Sequence, residues 1–170
     1  MKLEKAKPTL LIRKGDELFL SGSGLVEILK VVLNKGTSCK FTAKGHSMDP
    51  FIRDGDEITL SPSIGYSPMI GDIVAFIHPV NSGLMVHRLI GKKDDSYLTK
   101  GDNASQADGL VQKINILGYV QRIERKGKQI YLGLGPERIL ISYLSQKRLL
   151  SMVLLPAWKI TPSFIKKWLR

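Results

Sequence analysis

The chain contains a single cysteine, Cys39, so no disulfide can close within it. It has no Cys/His cluster at metal-ligand spacing, and neither a metal nor another cofactor is expected. It also lacks the run of about 20 apolar residues that a transmembrane helix requires. Leu25–Leu33 carries Glu27 and Lys30, and Ile139–Trp158 is broken by Gln146-Lys147-Arg148. The first 20 residues alternate charged and apolar groups without the continuous apolar core of a secretory leader. A cytoplasmic or peripheral-membrane location is therefore expected. Acidic residues are scarce as well, 15 against 26 Lys/Arg, for a formal net charge of +11. The excess is uneven: from Arg122 onward there are eleven Lys/Arg and two acids, Glu124 and Glu137. A tail of that kind suits an anionic partner such as a lipid surface, although a solvated helix face has the same composition. No nucleic-acid partner is expected.

What is present fits one domain with a modest core plus an extension: 170 residues, 43% of them hydrophobic, with no repeats. Thr9–Ile12 and Glu17–Leu20 read as two strands turning at Lys14-Gly15-Asp16. Leu25, Val26, Leu29, Val32 and Leu33 recur at helical spacing, with Ser23 or Gly24 available as the cap and Asn34-Lys35-Gly36 as the stop. Strands are predicted over 37–44, where Cys39 is a small half-buried residue, and over Asp56–Leu60. Ser61–Pro68 reads as a loop. Further strands are predicted at Ile73–Ile77, Leu84–Ile90, Tyr97–Lys100 and Ile116–Ile123, the first of these almost wholly apolar, as in a buried strand. Many short strands punctuated by Gly and Pro predict a mainly β domain, a partly open barrel. From Pro136 the pattern becomes helical: Leu140, Ile141, Leu144, Leu149-Leu150 and Val153 suit one or two amphipathic helices separated by Pro156. A second segment around Phe164, Ile165 and Trp168 carries Lys166, Lys167 and Arg170. The expected organisation is N-terminal strands and a short helix over 1–36, a β-rich core over 37–135, and a basic amphipathic helical extension over 136–170.

Within the core, Gly45-His46-Ser47-Met48-Asp49-Pro50 is a serine in a tight turn. Gly45 allows a backbone that other residues avoid, and Pro50 prevents a helix from continuing. A serine held at the mouth of a sheet is a place for a nucleophile. It is also what any surface turn contains.

Ser47-Met48-Asp49-Pro50 with Gly55-Asp56 downstream resembles the serine box of the type I signal peptidases and of the LexA-type self-cleaving repressors. Three more blocks follow in that superfamily's order: Gly71–Phe76, Val86-His87-Arg88-Leu89-Ile90 and Leu98-Thr99-Lys100-Gly101-Asp102-Asn103. The resemblance spans roughly residues 41–125. It implies the coiled β-fold of that group and a serine endopeptidase that cuts precursor peptides or proteins after small residues. Most membrane-bound signal peptidases carry an N-terminal anchor, for which no candidate segment is visible here.

A serine hydroxyl needs a base within hydrogen-bond reach. His46 is adjacent to Ser47 and badly placed for this, and His78 precedes Pro79 in a predicted turn. His87 lies mid-strand on the face of Met85 and Leu89, where a lone histidine is ordinarily a core residue. In relatives the matching position holds lysine or, in the endoplasmic-reticulum and archaeal type, histidine, so the chain looks like the Ser-His subtype. A catalytic lysine must be desolvated to lower its pKa, whereas histidine starts near about 6.5. The resemblance further implies two acids after the histidine block, matched by Asp102 and Asp108. Asp108 is the favoured partner of His87, with Asp102 structural or a second orienting acid. The arginine that usually follows the second acid is replaced by Gly109. Asp49, Asp54, Asp56 and Asp72 are read as turn residues, and the Ser47 N–H as the leading oxyanion donor. Two other readings remain. A self-cleaving repressor is disfavoured by the short N-terminal part and the absence of any Ala-Gly dipeptide. An inactive peptide- or membrane-surface-binding module would leave Ser47, His87 and the two acids without use.

Overall fold

The computed structural model describes residues 12–14, 17–19, 22–80, 83–147 and 149. It is mainly β, an antiparallel open sheet of eight strands with two short helices. A separate two-stranded ribbon, β1 (Ile12–Lys14) with β2 (Glu17–Phe19), precedes the helix α1 (Gly22–Asn34). The start of the first predicted strand at Thr9, the turn at Gly15-Asp16, and the tail segment around Phe164 and Trp168 lie outside the described residues.

α1 begins at Gly22, two or three residues earlier than a Ser23 or Gly24 cap would place it, and ends as predicted. Gly36 takes a positive φ of 76° and its N–H meets Leu33 O, the left-handed stop that glycine adopts without strain. Val26, Leu29 and Leu33 are buried along one stripe, each contributing about 1.5–3 kcal/mol when fully covered.

The main sheet is built from β3 (Cys39–Thr42), β4 (Glu57–Pro62), β5 (Ile73–Ile77), β6 (Leu84–Lys93), β7 (Ser96–Lys100), β8 (Gly109–Gln112), β9 (Ile116–Arg125) and β10 (Lys128–Ile130). Its order is β3-β4-β9-β5-β6-β7-β8, with β10 also on β9. β9 is long enough to pair with β4 on one edge and, in succession, with β5 and β10 on the other.

β5 shows why its sequence is apolar without alternation. Ile73 and Ala75 enter one core with Leu29, Leu33, Met48, Ile58 and Ile123. Val74 and Phe76 enter a second, on the opposite face, with Leu89, Tyr97, Val111 and Ile116. The curled sheet thus buries both sides of its central strand.

Several boundaries differ from the sequence reading. β4 continues through Ser61 and Pro62, because Ser61 is buried and donates to Gln121 Oε1 at 2.7 Å, so the predicted loop starts later. β8 and β10 were not anticipated. β8 alternates a buried Val111 with exposed Leu110 and Gln112, too brief a pattern to stand out. α2 (Arg138–Gln146) supplies the C-terminal helix, with Ile141 buried against Phe51 and Leu144 packed beside them.

Candidate active site

Ser47 sits in the long connection between β3 and β4. That connection is closed at its base by Ala43 N–H to Asp56 O and Gly55 N–H to Ala43 O, and stiffened by Gly45 N–H to Asp54 Oδ1. Met48 and Ile52 drop into the first core, Phe51 packs on α2, and the Phe51 and Ile52 N–H groups both meet Met48 O. The residues after Ser47 are therefore anchors, while Ser47 itself is exposed. Ser47 is thus an exposed residue on a turn held by its buried neighbours.

β6 brings His87 to this serine. His87 pairs with Val74 of β5 and lies on the second face, edge-on to Phe76 with ring centroids 6.2 Å apart. It shares that face with Met85 and Leu89, as the alternation predicts. Its Nε2 is 2.9 Å from Ser47 Oγ and its Nδ1 is 2.8 Å from Asp108 Oδ2. The imidazole is almost wholly buried, 3% exposed, so both nitrogens spend their capacity on these two partners. With Asp108 ionised, the proton belongs on Nδ1 and Nε2 is left bare toward the serine hydroxyl. Asp108 is fixed at the start of β8, where its N–H donates to Thr99 O of β7.

Asp102 does not join this set. Both its carboxylate oxygens face Arg88: Nε lies at 2.8 and 3.2 Å, and Nη2 at 2.8 Å. Arg88 and Asp102 are each 0% exposed. The reason is register. Arg88 pairs with Lys100, so Gly101 comes level with His87 and Asp102 returns to the Arg88 side. Arg88 Nη1 donates to Gly71 O (2.8 Å) and Gly133 O (2.9 Å), and its guanidinium lies over the Phe51 ring. Asp102 is therefore a structural acid, not an orienting one.

Gly101 and Asn103, which the sequence reading left without a role, complete the site, and Lys100 before them anchors the end of β7. A Cβ on Gly101 would lie 2.6 Å from Ser47 O and 3.2 Å from His87 Nε2, so only glycine lets the end of β7 abut the dyad. Asn103 then ties that segment to the serine turn, its N–H to Ser47 O (2.8 Å) and its Nδ2 to His46 O (3.0 Å). Lys100, buried at the end of β7, donates from Nζ to Ser145 O of α2 at 2.7 Å. Gly-Asp-Asn after a strand was readable as a turn. That it clasps a turn more than fifty positions earlier was not.

The remaining polar residues fall where turn chemistry places them. His46 is exposed, with Nδ1 3.2 Å from Asp49 Oδ2. His78 accepts from the Val80 N–H. Asp56 accepts the Arg53 N–H, and Asp72 accepts the Met69 N–H and the Tyr66 hydroxyl. Burial, together with the hydrogen bond to Asp72, holds the Tyr66 phenol well above its ordinary pKa. Burial would raise the Glu137 carboxyl. The N–H groups of Glu137 itself, Gly133 and Gly135, with the Arg88 charge, outweigh it and leave the pKa lowered. Among the described residues no group of His, Cys, Asp and Glu could hold a metal ion, and the Ser47 N–H has no hydrogen-bond acceptor. No protein-family model matches the chain, and no curated protein matches it.

Proposed function

We propose that the chain is a serine endopeptidase of the signal-peptidase-like group, with Ser47 as nucleophile, His87 as general base and Asp108 as the residue that orients His87. The observation that carries this reading is the unbroken series Ser47 Oγ–His87 Nε2–His87 Nδ1–Asp108 Oδ2, at 2.9 and 2.8 Å, ending on an exposed serine. Ser47 Oγ attacks the scissile carbonyl carbon as its proton passes to Nε2, and the imidazolium is steadied by Asp108. The oxyanion draws on the Ser47 N–H. Collapse breaks the C–N bond, and His87 returns the proton to the leaving amine. Water then attacks the acyl-serine, giving its proton to His87 and releasing the acid and Ser47. The preference for small residues before the cut follows from the sequence resemblance.

The test is a panel of precursor and small-residue peptides, with products identified by mass and Ser47→Ala run beside the wild type. Cleavage after small residues that vanishes in Ser47→Ala supports the reading. Cleavage that survives the substitution overturns it.

A peripheral membrane contact belongs to the same proposal. Ile139, Leu140 and Tyr143 are exposed on one side of α2, with Lys147 following, a pairing suited to an anionic interface. Flotation with anionic liposomes should weaken in Leu140→Glu, and unchanged flotation would remove this part.

A further inference from the structure

The hairpin joining β9 to β10 concentrates positive charge at Arg125, Lys126 and Lys128. Arg125 and Lys128 are direct cross-strand partners, so two cations stand side by side on one face. Like charges in that position repel. The connecting residues Lys126 and Gly127 both have positive φ, 51° and 72°, the backbone of a two-residue type I′ turn. Asn, Asp or Gly suits the first of these positions, and lysine there is strained.

Arg53, from the end of the serine connection, closes the other side, and Ile130 forms an apolar floor. These five residues line a cavity of about 170 Å³. That is several times the ~30 Å³ share of one water, with room for a phosphate group. Among the described residues Asp56 is the carboxylate beside this concavity: it accepts Arg125 Nε at 2.8 Å and Nη2 at 2.7 Å, together with the Arg53 N–H, while Arg53 Nε donates to Pro50 O. Glu124, the adjacent acid on β9, is engaged by Lys40 and Arg122. A like-charge pair and a lysine held at a strained turn, both beside one concavity, have a common resolution in a bound anion.

We propose that this cavity is an anion site that takes a phosphate group, held by Arg125, Lys126 and Lys128 with Arg53 at its rim. Arg125 also braces the serine connection through Phe51 O at 3.1 Å, so the site lies on the flank of that connection. It does not depend on the peptidase reading. The phosphate is either free or the headgroup of an anionic lipid, and the two arms of the test tell these apart.

In the first arm the full chain is titrated with inorganic phosphate at constant ionic strength while the Gly127 amide resonance is followed. In the second it is mixed with phosphatidylglycerol vesicles, with phosphatidylcholine vesicles as the control. Each arm uses the wild type, the neutral pair Lys126→Asn with Lys128→Gln, and the charge-keeping pair Lys126→Arg with Lys128→Arg. Asn suits the turn, and circular dichroism checks the fold. The expected result is saturable binding in at least one arm, weakened about tenfold or more in the neutral pair and retained in the arginine pair. Loss in the phosphate arm identifies a free anion. Loss in the vesicle arm alone identifies a lipid headgroup. Binding that the neutral pair leaves unchanged would put the affinity elsewhere, in the basic tail for instance, and overturn the site. Absence of binding in both arms would overturn it equally.

Discussion

His87 and Arg88 are neighbours on one strand, and each faces a carboxylate from the loop after β7, yet they serve opposite ends. The Arg88–Asp102 pair is sealed at 0% exposure, and its guanidinium is further fixed by Gly71 O and Gly133 O. Nothing is left over to react. His87 has one nitrogen on Asp108 and the other on a serine that solvent reaches. An acid beside a base is thus not a catalytic signal by itself. What separates the two pairs is whether the far side of the nitrogen-bearing partner ends in a closed cage or on an exposed serine.

Breaking the two pairs separately should give opposite results. Ser47→Ala has the largest expected effect on hydrolysis, a loss on the order of 10⁴-fold or more in kcat/KM, with thermal unfolding unchanged because the side chain is exposed. Asp108→Asn follows, at about 10²–10⁴-fold in kcat, since the amide favours the wrong imidazole tautomer. Its Tm should barely move. Asp102→Asn reverses the pattern: it leaves a fully buried guanidinium uncompensated, costing about 3–5 kcal/mol in denaturant unfolding. Activity measured below the transition should be largely retained.

Gly101→Ala sharpens the contrast, because its methyl would press on Ser47 O and His87 Nε2 while leaving both pairs chemically intact. A fall of about 10²-fold in kcat, without a matching change in Asp102→Asn, would locate the sensitivity in dyad geometry. The smallest effect is acidic. Glu137 has a depressed folded pKa, so its contribution is fully present above the unfolded carboxyl value. It is lost as pH falls through the lower folded one. Urea midpoints should decline on that acidic limb, and Glu137→Gln should flatten it at a cost of about 1–2 kcal/mol near neutrality.

The fold was legible where local chemistry decides it. Gly36 stops α1 because only its left-handed backbone closes the turn, and the apolar run of β5 announced burial on both faces. The Ser47, His87 and Asp108 positions were legible as residues. Their meeting depends on the pairing of β6 with β7, which no local pattern encodes. Asp102 shows the limit: six positions from Asp108 in the same loop, it is turned to Arg88 by strand register alone. The roles of Gly101, Asn103 and Lys100 were hidden for the same reason, since each acts on a segment distant in sequence. β8 and β10 escaped because strands of three or four residues, with one buried side chain each, carry almost no periodicity.

The most direct test of the central claim is one variant read two ways. His87→Ala, assayed below its unfolding transition on a peptide that the wild type cleaves, should lose hydrolysis on the order of 10⁴-fold while keeping its circular dichroism, with a lowered Tm because the imidazole is buried. Hydrolysis at a rate near wild type in the folded variant would contradict it, for then Ser47 would not need the imidazole 2.9 Å away.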